Sequence, residues 1–227
     1  MPLTRGAARL LRVEVGLGVE AGVEAGVEGT LDEGDSLLSR LALRDSVAAK
    51  ADAVWARRGG VDAYSRNSRA QTERPQVDHA LEVQLCEFAL VRTLGAESVG
   101  ERGAGSIGTT QATEMMRGAF NGLDNLNVTS ARTNQSKKGP FTAAINRLSN
   151  DRLRNVSIEQ LARQGRARWL VDNGDWIRIE STVVAAFDHC DAELRGSGIE
   201  TALPAAARLV DGTLDELHAA LNALGIT

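Results

Sequence analysis

Residues 124–139 read DNLNVTSARTNQSKKG, and the fold of this chain is best predicted from this stretch. Leu126–Thr129 is short and rich in residues that favour β-structure, and the strong turn signal Asn121-Gly122 precedes it. Asn125 and Asn134 stand nine positions apart, with lysines just beyond. The stretch therefore predicts a short strand followed at once by amide and basic side chains.

A second segment, Val77-Asp78-His79, lies about fifty residues earlier. Pro75 biases Arg74 towards an extended conformation, so a short strand entering Asp78 is expected. A neutral histidine, with an ordinary pKa of about 6.5, suits a general base near neutral pH. Carboxylate and amide oxygens suit a hard divalent cation. The two segments together indicate a site for hydrolysing a phosphodiester bond.

The full pattern is Asp78-His79, then Asn125-Leu126, then Asn134-x-x-Lys137-x-Gly139. It resembles the HNH or His-Me finger endonucleases, and RNA-guided CRISPR nucleases carry an HNH domain with the same Asp-His, Asn, Asn version. The resemblance covers roughly residues 74–148. It implies a ββα-metal core in which the Asp-His pair ends the first strand.

The resemblance also implies roles for individual residues. His79 and Asn125 form the catalytic set, with His79 as general base and Asn125 bracing the loop that carries it. Asp78 and Asn134 match the metal ligands, for Mg²⁺ or alternatively Mn²⁺. Glu82 would brace His79 or join the metal's coordination shell, unless it is a solvated or salt-bridged glutamate. The expected contacts to substrate phosphate are Arg74, Arg132, Lys137 and Lys138.

Two departures from the family pattern stand out. The family keeps its histidine and middle asparagine closer together than the 46 positions between His79 and Asn125. Residues 80–120 are therefore expected to hold an insertion of two helices between the two strands of the motif. The paired CxxC motifs that brace many HNH domains are missing, since the chain has two isolated cysteines, Cys86 and Cys190.

The composition indicates what kind of core the protein has and in which compartment it is expected. Among 227 residues, 43% are hydrophobic and 4% aromatic, which predicts an Ala- and Leu-rich, mostly helical core. No apolar run approaches the roughly 20 residues of a membrane span, and arginines interrupt Met1–Leu17, which argues against a signal peptide. Isolated cysteines favour a reducing compartment. We expect an intracellular protein of cytoplasm or nucleus, without a membrane partner.

Charge is unevenly distributed along the chain. Residues 132–168 carry nine Lys/Arg against two Asp/Glu, a net of +7, whereas residues 172–227 carry three against ten, a net of −7. A basic cluster just after the motif is typical of a phosphate-backbone binder, and a solvated helix face is the alternative. The expected partner is nucleic acid, DNA rather than RNA. The sequence leaves the oligomeric state open.

The predicted architecture is α+β and mostly helical: a ββα-metal (HNH) core with a helical insertion and flanking helices. Residues 1–34, which include a period-four Gly-Val-Glu-Ala repeat, are expected to form a low-complexity arm, and residues 35–227 a nuclease domain. Helices are predicted over 36–58, from just after His79 to Gly95, from Thr109 to Phe120, and over 140–149, 157–168, 175–195 and 203–223.

Three functions are compatible with this pattern. The first is a metal-dependent endonuclease, the second a non-catalytic nucleic-acid-binding module on the same scaffold, and the third a helical protein-interaction domain. The second Asp-His pair, Asp188-His189, is expected to be structural because it falls within a predicted helix. The discriminating feature is geometric: both nucleic-acid functions require Asp78, His79 and Asn134 to converge.

Overall fold

The computed structural model describes residues 47–97, 107–149 and 157–226, all within the compact unit Asp32–Thr227. The predicted arm and the first part of the helix predicted over 36–58 lie outside the described residues. The described part is mostly helical and contains a two-stranded antiparallel sheet. The predicted α+β, mostly helical class is confirmed.

Nine α-helices and two strands follow one another along the described residues, with short 3-10 turns at Val47–Lys50, Arg69–Gln71 and Leu123–Asn125. In chain order they are α1 (Ala51–Arg57), β1 (Pro75–His79), α2 (Val83–Glu97), α3 (Ile107–Phe120), β2 (Leu126–Ser130), α4 (Ala131–Ser149), α5 (Ile158–Gln164), α6 (Arg168–Asp172), α7 (Asp175–Arg195), α8 (Ile199–Ala202) and α9 (Pro204–Ala223).

The two predicted strands form and pair with each other. They run antiparallel, with Pro75 opposite Ser130 and His79 opposite Leu126. The extended conformation expected for Arg74 is wrong: its φ is +45°, in the left-handed region, and its carbonyl accepts a hydrogen bond from Ala131 N at 3.2 Å. The strand begins only at Pro75 because the chain turns at the residue before it.

The sheet has one apolar face and one polar face, since successive side chains of a strand point to opposite sides. Val128 packs with Trp55 of α1 in a small apolar cluster. On the other face Asn127 and Thr129 donate hydrogen bonds to the buried carboxylate of Asp62, at 2.7 and 2.8 Å. Burial and these buried hydrogen bonds therefore set the register of β2.

Helix α4 follows β2 without a loop. The Ser130 hydroxyl accepts a hydrogen bond from Thr133 N at 3.1 Å and caps the new helix. The predicted start at residue 140 is wrong, because α4 begins at Ala131 and continues through Pro140. The early start places Asn134 one turn beyond the sheet and Lys137 about one turn further.

Helices α2, α3 and α9 pack together and provide much of the main core. Their buried side chains include Leu85, Leu90, Met116, Phe120, Leu214 and Leu217. The two helices predicted between the strands are thus α2 and α3, and they belong to the core. None of the described helices is long and apolar enough to cross a membrane.

Candidate functional site

A pocket of about 240 Å³ opens where the end of β1 meets the start of α2 and the first turns of α4. Asp78, His79 and Asn134 all line it, as do Glu82 and Lys138. The three residues predicted to converge therefore face one cavity, although 46 residues separate His79 from Asn125 of the second segment. The remaining lining is largely apolar, from Val47, Val77 and Val83, with Gln84.

Lys137 lies at the centre of a buried ion cluster. Its side chain is fully buried, with Nζ 2.6 Å from Asp78 Oδ2. Nζ also donates to the His79 carbonyl at 2.6 Å and to the Tyr64 hydroxyl at 3.1 Å. Burial lowers the pKa of Lys137, but the carboxylates of Asp78 and Glu82 outweigh it and raise that pKa well above its usual value. The expected phosphate contact of Lys137 is thus replaced by internal contacts.

Tyr64 supports the same carboxylate. Its hydroxyl donates to Asp78 Oδ2 at 3.1 Å. Burial raises the pKa of Tyr64 far above its ordinary range, against the lowering effect of Lys137. The phenol is therefore a neutral donor. No feature of the sequence pointed to this residue, which lies in the loop before β1.

Glu82 is buried, with only 4% of its surface exposed. It is therefore not a solvated glutamate. Its Oε1 lies 3.0 Å from Lys137 Nζ, which makes an ion pair, but the angle does not fit a hydrogen bond. Burial raises the pKa of Glu82, and the nearby ammonium opposes that rise. Of the predicted alternatives, the salt-bridged one describes its observed contact.

Asn134 presents an unpaired oxygen. Its Nδ2 donates to Gln76 Oε1 at 3.1 Å, whereas Oδ1 is buried without a hydrogen-bond partner. Leaving a buried acceptor unsatisfied costs about 1–3 kcal/mol. A carboxylate from Asp78 and this free amide oxygen, on one pocket, form the donor set that suits a hard divalent cation.

The described residues include no group of three or more His, Cys, Asp or Glu side chains arranged to hold a metal ion. The predicted ligands differ from such a group, because they are two residues, the carboxylate of Asp78 and the amide of Asn134. The ion's remaining coordination positions would belong to water and substrate oxygens, as in many magnesium sites.

The His79 imidazole is held by an asparagine that the sequence did not single out. His79 Nε2 lies 2.7 Å from Asn121 Oδ1, and both residues are buried. Burial lowers the pKa of His79, and the hydrogen bond to Asn121 partly opposes this effect. The ring is therefore neutral near neutral pH. The Asn121-Gly122 pair was interpreted only as a turn, because such a pair gives no local signal of a distant contact.

Asn125 ties the chain after His79 to the end of α3. Its Oδ1 accepts from Leu81 N and its Nδ2 donates to the Phe120 carbonyl, both at 2.7 Å. Its own carbonyl accepts from Ala80 N at 2.7 Å. A fully buried asparagine with these three bonds holds the backbone immediately beyond the histidine.

No protein-family model, curated protein or solved structure matches this chain.

Of the three exposed cations expected to contact phosphate, one lines the pocket and two do not. Lys138 is exposed and lines it. Arg132 is exposed at the start of α4, and its guanidinium lies 4.3 Å from the centre of the Trp169 ring. Trp169 is held in turn by a hydrogen bond from Nε1 to Ser136 Oγ at 3.2 Å. Arg74 is exposed beside β1, and neither arginine is part of the pocket lining.

The second Asp-His pair lies within α7, as expected. His189 is exposed, and its Nε2 lies 3.2 Å from Asp124 Oδ2. Neither member of the pair lines the pocket. Asp188-His189 therefore provides a natural comparison for Asp78-His79: the same dipeptide in a different environment.

Proposed function

We propose that this protein is a metal-dependent endonuclease of the HNH type, which hydrolyses phosphodiester bonds in nucleic acid, DNA rather than RNA. The observation that carries the proposal is the convergence of Asp78, His79 and Asn134 on one pocket. The elements follow the order of a ββα-metal core: β1 ends in Asp-His, β2 pairs with it in the antiparallel sense, and α4 follows β2 directly. The intervals from Asn125 to Asn134 and Lys137 agree with it.

His79 is the general base in this proposal. Its burial lowers the pKa of the imidazole, so the ring is unprotonated and able to accept a proton near neutral pH. It takes a proton from water, and the water oxygen forms a bond to phosphorus in line with the departing group. The bond from phosphorus to the 3′-oxygen breaks, and that oxygen takes a proton from a solvent water. The products are 5′-phosphate and 3′-hydroxyl ends.

Asp78 and Asn134 would hold the divalent cation, Mg²⁺ or Mn²⁺. When bound, such an ion supplies stabilisation of negative charge on the phosphate and on the departing oxygen. The supporting observation is the buried, unpaired Oδ1 of Asn134. Lys137 and Tyr64 engage Oδ2 of Asp78 and hold that carboxylate in one orientation.

Exposed basic residues would hold the nucleic-acid backbone. Lys138 lies at the pocket. Arg132, on the same helix α4, is stacked on Trp169 of α6. The net charge of residues 132–168, +7 in the sequence and 8 − 2 = +6 without the buried Lys137, favours a polyanionic partner. A guanidinium already ordered on an indole ring loses less conformational freedom when it binds a phosphate.

The first test is plasmid cleavage with Mg²⁺ or Mn²⁺. His79→Ala is expected to lower the cleavage rate by about 10²- to 10⁴-fold, because it removes the base, and a chelator should abolish cleavage. His189→Ala is the matched control, since it alters the second Asp-His pair, and it should cleave like the wild type. Equal cleavage by wild type and His79→Ala would remove His79 from the mechanism.

The rival function is a nucleic-acid-binding module that does not cleave. The observation in its favour is that Lys137 already neutralises Asp78. It predicts salt-sensitive binding that neither His79→Ala nor a chelator changes. Binding without cleavage of DNA or RNA in either metal would replace the endonuclease by this module.

A further inference from the structure

His79 and Asn121 form a buried pair from distant parts of the chain. They are 42 residues apart, yet Nε2 and Oδ1 are separated by 2.7 Å. His79 is 7% exposed and Asn121 is 8% exposed. A short hydrogen bond between two buried groups constrains both side chains.

Asn121 is itself held in place from two sides. It follows Phe120, the last residue of α3, and its N–H donates to the Arg117 carbonyl at 3.0 Å. Its own carbonyl accepts from Lys50 Nζ at 2.7 Å. The amide side chain is therefore presented to the imidazole from a fixed backbone, at the point where the helical insertion returns to the sheet.

The chemistry of the pair selects one tautomer of the imidazole. A carbonyl oxygen only accepts hydrogen bonds, so the nitrogen that contacts it must carry the hydrogen. A neutral imidazole carries one N–H. With the hydrogen on Nε2, the lone pair that can accept a proton is on Nδ1.

We propose that Asn121 is a positioning residue for His79. It holds the ring in the Nε2–H tautomer and so makes Nδ1 the basic nitrogen. Asn125 fixes the backbone after the histidine, whereas Asn121 fixes the ring. The consequence for catalysis rests on the proposed role of His79 as base, but the tautomer itself does not.

The direct test is nitrogen-15 NMR of the imidazoles in metal-free protein above neutral pH. The chain has three histidines, and the spectra of His79→Ala and His189→Ala assign them. His79 is expected as the Nε2–H tautomer in the wild type and in Asn121→Asp, whose carboxylate also accepts. A free neutral imidazole favours Nε2–H only in part, so a population with the hydrogen on Nδ1 should appear in Asn121→Leu. An Nδ1–H tautomer in the wild type, or the absence of any Nδ1–H population in Asn121→Leu, overturns the proposal.

Cleavage kinetics give the second arm. Asn121→Leu is expected to lower kcat about 10- to 100-fold, as when a metal-bound histidine loses the hydrogen-bond partner that orients it, with little change in KM. Asn121→Asp should recover part of the loss. Asn222→Leu, at an exposed position in α9, is the control and should behave as wild type. Unfolding curves check each fold, and Asn121→Ser replaces the leucine variant if that one does not fold.

The two proposals fail in different ways. If the wild type does not cleave, the endonuclease proposal fails, and the NMR result still decides the tautomer. If the wild type cleaves and Asn121→Leu changes the tautomer without lowering kcat, the positioning role is overturned while the endonuclease proposal stands.

Discussion

At the scale of single residues, the site depends on a buried lysine and the groups that surround its ammonium. Two carboxylates, Asp78 and Glu82, share the ammonium of Lys137, and Tyr64 adds a neutral donor. Burying an ion pair carries a large desolvation cost, which the attraction offsets only when the geometry and extra hydrogen bonds are good. The cluster is therefore sensitive to the loss of any one partner.

Lys137→Met is expected to destabilise the protein by about 3–5 kcal/mol, because it leaves two buried carboxyl groups without their cation. The free energy of unfolding in urea measures the effect. Lys138→Met is the control: the neighbouring lysine is exposed, so its change should stay within about 0.5 kcal/mol. Equal stability of the two variants would show that the buried cluster contributes nothing.

The spacing of the motif made part of this site predictable. Asp78, His79 and Asn134 could be assigned to one site because their residue types and intervals are read directly along the chain. The burial of Lys137 could not, since its partner Tyr64 is 73 residues away. Asn121 was missed for the same reason, as its contact with His79 crosses the whole helical insertion.

At the scale of elements, apolar periodicity predicted the helices that lie on the core. Helix α7 has the predicted bounds, 175–195, and α2 and α3 were expected within about three residues of their ends. Two predictions failed where backbone and packing overrode local signals. The helix predicted from residue 140 begins at Ala131, and the helix predicted over 157–168 is interrupted near Gly165.

The packing of α2 on α9 depends on a glycine. A Cβ on Gly212 would lie 2.7 Å from Thr93 Cγ2, which is buried. Gly212→Ala is therefore expected to destabilise the protein by about 1–3 kcal/mol, despite the better helix propensity of alanine. Urea unfolding measures the change.

A second substitution, at Thr93, should restore the stability that Gly212→Ala removes. Thr93→Ser removes the methyl group and retains the hydroxyl that donates to the Ala89 carbonyl at 3.0 Å, so the double variant should regain most of the loss. Gly118→Ala, a helical position with open space around the new Cβ, should stabilise by about 0.5–1 kcal/mol. Destabilisation by Gly118→Ala as large as by Gly212→Ala would contradict a steric cause.

At the scale of the whole molecule, residues between the strands are part of one packed interior. Cys86 of α2 and Cys190 of α7 both lie in the main core. Burial raises the pKa of both thiols, that of Cys190 to about 12. Both thiols are therefore protonated and shielded in the folded protein.

The burial of both thiols predicts how they react with a thiol reagent. An aromatic disulfide reagent at mildly alkaline pH should label neither cysteine in the native protein, because the thiolate is the reactive form. Two thiols should react once urea unfolds the chain, since the sequence contains two cysteines. Rapid labelling of the native protein would show that α2 or α7 opens readily from the core.

The long separation of β1 from β2 bears on when the molecule becomes organised during synthesis. At roughly 5–20 residues per second, the first strand leaves the ribosome seconds before its partner strand. Helix α2, which lies between the strands, packs against α9, which is made later than either strand. The pocket thus takes shape only after β2 and the first turns of α4 have been made, and the nascent protein carries its reactive groups in a disassembled form until then.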